Sequence, residues 1–359
     1  MKHMPDMIKI FSIENETQMK EWDQFVLSFP RSTPFHMSYW LKCIQKTYHY
    51  NPLLYVSINQ TNGHSKHIDG IFPCFHIKSM ITGNRLVSIP FSDYGGPLFF
   101  EKHKENLLLS ELIKNFNGSC KYCEIRSNLE NGTSFLPHHN FKLHSLELNS
   151  QPELVKRKFN KRTTLYSIRK AENEGVAIKE ENSIQGIEIF YNLNAITRKK
   201  HGLPPQPFAF MKNIYSHLIA KQHASILLAI HDSRVISAGI FIKFRDTVYY
   251  KYNASDPAFL SQKKPNHLLA WHAIQEACQK GFQYFDFGRT AVNNQSLAKY
   301  KEMWGAKPID LPYHFYPAVQ GLTSADENKF SYRMFNHLCK NLPDSVLKKV
   351  GAVLYKHIG

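Results

Sequence analysis

The residues best suited to chemistry lie in segment 284–305, which reads YFDFGRTAVNNQSLAKYKEMWG. It brings together a carboxylate (Asp286), a guanidinium (Arg289), a phenol (Tyr300) and an ammonium (Lys301). A carboxylate among such groups can accept a proton, and a fixed cation can stabilise developing negative charge. An ion pair of Asp286 with Arg289 or Lys301 is the structural alternative.

A strand and a helix must position these side chains. Strand alternation from Tyr284 places Asp286 and Gly288 on one face, and Gly288 is expected to end the strand at a bend. The cap-type residues Asn293, Asn294 and Ser296 then predict a helix from Gln295 to Trp304, stopped at Gly305. From that helix, the Lys301 ammonium could reach back over the strand end and Asp286.

Composition predicts a folded protein of two domains. The chain has 359 residues, 43% hydrophobic and 13% aromatic, which is ample for buried cores. No apolar run approaches the roughly 18 residues of a membrane span, and the start lacks a signal-peptide pattern, so we expect a cytoplasmic protein. Its six cysteines, including the pair Cys120 and Cys123, are expected to be buried thiols rather than a metal or redox site.

The charge is strongly positive. The chain has 45 Lys and Arg against 29 Asp and Glu, a net charge of +16. Such a surplus implies an anionic partner. A tRNA, a nucleotide-sugar, a pyrophosphate-linked lipid and a CoA-type cofactor all satisfy it, and the charge does not choose among them.

Two halves of the chain show the same order of elements. Both halves predict three antiparallel strands, a helix and a further strand. In the first half the strands are predicted at 53–58, 70–77, 85–90 and 122–126, with the helix at 104–116. In the second half they are predicted at 225–231, 235–244, 247–253 and from 284, with the helix at 266–280. Self-similarity in a fixed order indicates a tandem duplication.

A basic segment joins the halves. Its apolar residues recur at helical spacing between Pro152 and Gly175, and seven cations without an acid lie between Lys156 and Lys170. The pattern predicts an amphipathic helix whose cations, Arg169 and Lys170 among them, could hold phosphates. A solvated face is the alternative.

Two loops have the composition of binding loops. Asp93, Tyr94, Gly95 and Gly96 set an acid and a phenol beside paired glycines that permit close approach of a ligand. A tight turn around a packed tyrosine is the alternative there. Lys263, Lys264 and Asn266 precede a helix whose first turn offers free N–H groups to an anion.

These blocks carry a family resemblance. PFSDYGGPL, IRKAENEG and above all FDFGRT followed by YKEMWGAKP resemble the Fem-type, FemAB-related proteins of the GNAT acyltransferase superfamily. The resemblance extends from Trp40 to the C-terminal LPDSVLKKVGAVLYKHIG, a tail similar to FemAB-related proteins of PEP-CTERM and exopolysaccharide systems. It implies two tandem GNAT-like domains of α+β class and a cytosolic enzyme that transfers an acyl or aminoacyl group to an amine.

The resemblance also assigns roles. The family's aromatic-Lys pair before a Trp-Gly falls on Tyr300 and Lys301, where the Lys helps to position or stabilise the transferring group. From the chemistry of the residues, Asp286 is our candidate base, because the amine must lose a proton, and Arg289 lies beside it. The first half has no aromatic-Lys-xxWG helix after its equivalent strand, so we expect the second half to catalyse and the first to bind the acceptor through its Asp93–Gly96 loop. The donor is an aminoacyl-tRNA or an acyl-CoA, although LSQKKPNH stands where CoA-dependent members carry a Gly-rich loop.

The expected domains are an N-terminal GNAT-like domain at 1–148, completed by 311–359, and a catalytic one at 149–310. A helical tail is expected at 323–359, and its last helix has an amphipathic pattern that suits either packing or a peripheral membrane contact. The expected function is acyl or aminoacyl transfer in envelope, peptidoglycan or exopolysaccharide assembly. The alternative is an inactive GNAT pair that serves as a binding module for nucleic acid or envelope-assembly partners.

Overall fold

A computed structural model describes residues 7–61, 65–114, 120–129, 133–318 and 330–359. Its internal contacts divide the chain into two compact units. The first comprises Met1–Asn140, Leu311–Leu322 and Lys356–Gly359, and the second comprises Phe141–Asp310 and Thr323–Tyr355.

The first unit is built from a sheet and three α-helices among its described residues. Its strands are β1 (Met7–Phe11), β2 (Asn51–Thr61), β3 (Ser65–Ile77), β4 (Arg85–Val87), β5 (Leu98–Phe99) and β6 (Tyr122–Ile125). Its helices are α1 (Glu16–Ser28), α2 (Ser38–Tyr48) and α3 (Lys102–Lys114), with a short 3-10 helix at Pro34–His36.

Strand β7 (Leu136–Glu147) leads into the second unit. The further strands there are β8 (Ala177–Glu180), β9 (Ala224–His231), β10 (Arg234–Phe244), β11 (Thr247–Ser255), β12 (Tyr284–Ala291) and β13 (Lys307–Tyr316), the last ending in the first unit. The helices are α4 (Pro152–Lys156), α5 (Tyr166–Asn173), α6 (Ile184–Lys200), α7 (Phe208–Ile214), α8 (Pro257–Lys263), α9 (Pro265–Gln279), α10 (Gln295–Glu302), α11 (Phe330–Asn341) and α12 (Asp344–Ile358). Two π-helical turns lie at Lys161–Leu165 and Tyr215–Ile219.

The two units repeat one strand pattern. In the first, β2, β3 and β4 are antiparallel, and β6 returns parallel to β4 after α3. In the second, β9, β10 and β11 are antiparallel, and β12 returns parallel to β11 after α9. The tandem GNAT-like α+β fold predicted from the sequence is confirmed.

Each unit buries its crossover helix against its own sheet. In the second unit, the apolar face of α9 packs with Leu227, Phe241 and Phe285 from the strands. In the first, Leu108, Leu109 and Leu112 of α3 pack with strand residues that include Cys74 and Cys123. All six cysteines are free and buried, as the sequence predicted.

The structure differs from the sequence expectations in two places. The single helix expected across 152–175 is interrupted, because Asn160 caps a new turn by accepting the N–H groups of Arg162 and Thr163. The described residues 330–355 belong to the second unit instead of completing the first or forming a separate tail. The reason is packing, because Leu347, Gly351 and Tyr355 bury one side of α12.

Candidate active site

Strands β11 and β12 lie together only at their beginnings. Their pairing runs from Thr247 with Tyr284 to Tyr249 with Asp286, although β11 continues to Ser255 and β12 to Ala291. On its other edge β12 pairs with β7 from Tyr284 to Ala291, so it stays in the sheet where β11 leaves it. We call the opening between β11 and β12 the fork.

A bulge in β11 accompanies the fork. Ile240 of β10 pairs with Tyr252, whereas the next residue, Phe241, pairs with Tyr250, so Lys251 is the extra residue. A bulge bends its strand and increases the local twist. Because backbone groups that leave a ladder need other partners, a fork of this kind suits an extended polar ligand.

Gly288 bends β12 just beyond the fork. Its φ is 73°, a backbone conformation that a side chain disfavours, and the pairing with β7 shifts between Asp286 and Arg289. The strand therefore bulges at Gly288 and continues, instead of ending there as the sequence suggested. Asp286 is only 3% exposed, and its Oδ1 accepts the Gly288 N–H at 2.5 Å.

Lys301 binds this bulge from α10. Its Nζ donates to the carbonyl oxygens of Gly288 at 2.8 Å and Arg289 at 3.0 Å, and the side chain is buried. The reach of Lys301 back to the strand, predicted from the sequence, is present. The Arg289 guanidinium lies over the Phe141 ring, with its Cζ 4.4 Å from the ring centre.

His144 of β7 is a buried neighbour that the sequence did not reveal. The residue is fully buried, its Nδ1 lies 3.3 Å from Thr290 Oγ1, and its Nε2 lies 3.8 Å from Glu302 Oε1. Among the residues that the structure describes, none hydrogen-bonds to Nε2. Burial, followed by the charge of Lys301, lowers the pKa of His144. A neutral imidazole thus stands near the ammonium.

Tyr300 lies beside His267, at the start of α9. Its ring lies 5.3 Å from that of His267, and burial raises its pKa to about 12. Burial, followed by the charge of Lys264, lowers the pKa of His267 to about 4. Within β11, Asn253 donates to the Tyr250 hydroxyl at 2.8 Å, and burial raises the pKa of Tyr250. These groups are neutral at pH 7.

The Trp304–Gly305 turn connects α10 to the basic segment. Trp304 is fully buried, with its ring 5.0 Å from Phe159. The Thr164 hydroxyl and the Asn160 N–H both bond to the Met303 carbonyl, at 2.9 and 2.8 Å. The Trp-Gly pair thus holds the helix that carries Tyr300 and Lys301 in place.

The comparisons with known proteins agree with this geometry. Residues 158–302, which contain the fork and Lys301, match the family model described as "Acetyltransferase (GNAT) domain". The crystal structure of FemX superposes with a TM-score of 0.66 at 14% identity, covering 86% of this chain and 97% of FemX. The chain has the fold of the Fem-type tandem GNAT proteins.

Two further solved structures are similar to this chain in fold. One is the C-terminal domain of a putative lysylphosphatidylglycerol synthetase from Agrobacterium fabrum, with a TM-score of 0.56, 9% identity and coverage of 84% of this chain and 92% of that domain. The other is a tandem GNAT protein from the clavulanic acid biosynthesis pathway, with a TM-score of 0.54, 8% identity and coverage of 87% and 99%. No curated protein matches the chain in sequence.

The residues predicted to hold the donor surround the start of α9 in the GNAT domain. Lys264 occupies the left-handed position between α8 and α9, with φ 50°. Lys263 is ion-paired with Glu174 at 2.7 Å, and the Asn266 Oδ1 accepts the Ser237 hydroxyl at 2.6 Å. Both of these side chains already have protein partners.

The other two predicted donor residues lie on α5. Arg169 is exposed and Lys170 is half-buried. Glu174, the partner of Lys263, has its pKa lowered by Lys263 first and also by Lys170. Lys170 therefore lies near Glu174, and through Glu174 it is close to Lys263 at the α8–α9 junction.

The first-unit loop is held by the protein itself. The carbonyl of Asp93 accepts the Tyr313 hydroxyl at 2.5 Å, and the ring of Tyr94 lies 6.0 Å from that of Phe35. The sequence predicted an open backbone at Gly95 and Gly96, but other side chains cover it. A Cβ at Gly95 would lie 2.4 Å from Ile89, and one at Gly96 would lie 2.4 Å from Ser127, because those side chains fill the space.

The loop nevertheless borders a cavity of about 60 Å³. Tyr94, Gly96, Lys102 and Glu105 line it, together with the buried His36. His36 Nε2 contacts the Gly96 carbonyl at 3.1 Å, and burial lowers the pKa of its imidazole to about 4. Since a water occupies about 30 Å³ of liquid, the cavity suits a small polar group and not a whole precursor.

Proposed function

We propose that this chain is an N-acyltransferase that moves an acyl or aminoacyl group to an amine of a cell-envelope precursor. The observation that carries the proposal is the Lys301 ammonium, held by the Gly288 and Arg289 carbonyls beside the fork. A cation fixed before the reaction can stabilise an oxyanion without reorganisation at the moment of transfer. The envelope context is supported by the likeness to FemX and to a lysylphosphatidylglycerol synthetase domain.

The proposed reaction joins the amine to the donor carbonyl. The amine nitrogen attacks the carbonyl carbon of an ester or thioester, and the resulting oxyanion forms near Lys301. The new C–N bond replaces the C–O or C–S bond, and the leaving group departs with its electron pair. Asp286 accepts the proton that the amine loses, and the leaving group takes up a proton in turn.

The proposed donor is an aminoacyl-tRNA or an acyl-CoA. Both are anionic, in keeping with the net charge of +16 and with cations at Arg169, Lys170 and Lys264 around the GNAT domain. The start of α9 offers N–H groups to a phosphate, although Pro265 at its first position removes one donor. Exposed Arg169 favours a long polyanion, because it stands on another helix.

The proposed acceptor site is the first-unit cavity beside Asp93 and Tyr94. Its wall includes Glu105 and Lys102, which are ion-paired at 2.8 Å, together with the loop residues Tyr94, Gly95 and Gly96. Polar side chains of this kind can bind a polar group of the acceptor other than its reacting amine. The remainder of the acceptor would then lie outside the cavity.

The alternative is a GNAT pair that binds without catalysis, and one observation favours it. Asp286 and Lys301 both bond to the Gly288 bulge, so the two residues also have a structural explanation. In that case the segment would hold the fork open for a ligand while no transfer occurs.

The donor question can be answered directly. The purified chain is analysed by native mass spectrometry for retained ligands, and is then incubated with a labelled aminoacyl-tRNA pool or labelled acetyl-CoA together with amine-bearing envelope precursors. Transfer of label to an amine supports the proposal, and the productive donor identifies the class. Stable binding of a donor without transfer to any amine supports the binding module instead.

A further inference from the structure

The loop between β3 and β4 in the first unit exposes large apolar side chains at its tip. Met80 is 101% exposed and Ile81 is 64% exposed. Exposure of one apolar residue needs no explanation, but two adjacent ones at the end of a hairpin form a protruding apolar tip. We call residues 78–84 the tip loop.

The tip loop is held in this conformation by its own hydrogen bonds. The Ser79 hydroxyl accepts the N–H groups of Ile81 at 3.2 Å and Thr82 at 2.9 Å, and the Gly83 N–H donates to the Ser79 carbonyl at 2.9 Å. Within the same unit, the Thr82 hydroxyl donates to the His357 carbonyl at 2.7 Å. The exposure of Met80 and Ile81 is therefore a feature of an ordered turn.

Cations flank the apolar tip. Lys78 and Lys121 are both exposed, and Lys121 lies against the loop, since a Cβ at Gly83 would be 3.0 Å from its Nζ. The sequence from Ile77 to Ser88 contains no Asp or Glu. Ile358 follows His357 and is itself 44% exposed, which adds apolar surface beside the loop.

We propose that the tip loop is a membrane contact, in which Met80 and Ile81 enter the interface of an anionic bilayer while Lys78 and Lys121 bind its headgroups. An apolar tip ringed by cations matches the two layers of such a surface, apolar below and negatively charged above. This contact is independent of the acyl-transfer chemistry. It differs from the contact expected from the sequence, which was assigned to the last helix.

Vesicle binding tests the proposal with the full chain. Wild-type protein is expected to co-sediment with phosphatidylglycerol-phosphatidylcholine vesicles, to bind pure phosphatidylcholine vesicles more weakly, and to dissociate as salt increases. Met80→Ser with Ile81→Ser should weaken partitioning about tenfold or more. Leu107→Ser is the matched control, because Leu107 is 56% exposed in α3 of the same unit.

A second readout locates the contact. The four native tryptophans are buried, so the added fluorescence of Met80→Trp reports on the tip. Its emission should shift to the blue when anionic vesicles are added. Any one of three results would overturn the proposal. These are wild-type protein that fails to bind anionic vesicles, a double variant that binds them as wild type does, and an emission of the Met80→Trp variant that does not shift.

Discussion

Asp286 has two possible tasks, and its environment allows both. Its buried carboxylate accepts the Gly288 N–H, which stabilises the bulge, and a carboxylate at this position can also accept the amine proton. The two tasks separate in a variant that keeps an oxygen acceptor but cannot take up a proton.

Asp286→Asn is that variant. The amide oxygen can still accept the Gly288 N–H, so the fold should survive, whereas loss of the base should lower turnover by about 10²-fold or more. Turnover is measured together with the thermal midpoint. Wild-type turnover in a folded variant would assign the carboxylate a structural role only.

At the residue scale the sequence identified side chains but not their environment. Lys301 was placed correctly against the strand because a helix directly follows it in the chain. His144 was missed, because it reaches the same place from β7 and is separated from Thr290 by more than a hundred residues. Only the pairing of β7 with β12 brings the two together.

At the scale of elements, the Trp304–Gly305 turn determines where α10 lies. Gly305 has φ 78°, and a Cβ there would lie 2.8 Å from the Cβ and 3.1 Å from the carbonyl oxygen of Lys158. Gly281 has nearly the same φ, 79°, but a Cβ there would meet nothing within 4 Å. A substitution at Gly281 therefore introduces backbone strain alone, whereas one at Gly305 adds a steric contact to the same strain.

We therefore expect Gly305→Ala to destabilise the protein more than Gly281→Ala. The control should lose about 1 to 2 kcal/mol from the left-handed backbone alone, and Gly305→Ala should lose roughly 1 to 3 kcal/mol more through overpacking against Lys158. Urea unfolding measures both. Equal losses would show that the contact with Lys158 relaxes without cost.

The cations of the basic segment lead to a prediction about binding of the donor. If the donor is tRNA, Arg169→Ala with Lys170→Ala should weaken its binding and flatten the salt dependence, because fewer counterions are released. Lys212→Ala with Lys221→Ala is the control, since both lysines are exposed in the second unit and the charge change is identical. Binding is titrated at several salt concentrations. If the salt dependence of binding has the same slope in both double variants, Arg169 and Lys170 belong to a solvated face and do not contact the donor.

The sequence predicted elements well where periodicity was regular and poorly where a local cap intervened. The strands β9, β10 and β11 were predicted nearly in full because their apolar patterns are continuous. The helix across 152–175 failed at Asn160, whose side chain competes with the helical pattern by capping a new turn. The spacing of the apolar residues continues through such a break, so the spacing alone cannot show where the helix is interrupted.

At the scale of the whole molecule, the duplication was visible because each unit repeats local order. The C-terminal region was predicted only in part, since its division depends on contacts between residues far apart in the chain. Residues 311–318 join the first unit through the pairing of β13 with β6, whereas the described residues 330–355 join the second.

Global stability should depend on pH through His36. Burial lowers its pKa to about 4, below the ordinary value of about 6.5 that applies in the unfolded chain. The unfolded state thus binds more protons between these values. The contribution is fully present above about pH 6.5 and is lost as the pH falls towards 4, which costs about 2 kcal/mol between pH 7 and 5.

His36→Gln should reduce this pH dependence of the unfolding free energy, whatever its effect on stability at pH 7. Urea titrations at pH 7 and pH 5 measure the difference for each variant. The same substitution at exposed His49 is the control. A pH dependence in His36→Gln equal to that of the wild type would mean that other groups cause the acid sensitivity.

The central claim, that a preorganised Lys301 stabilises the transition state of acyl transfer, is tested most directly by single-turnover transfer with the productive donor. Lys301→Ala should slow the transfer step about 10²-fold or more. Lys299→Ala, which removes an exposed ammonium from the same helix, should transfer at the wild-type rate. A folded Lys301→Ala protein that transfers as fast as Lys299→Ala would contradict the account.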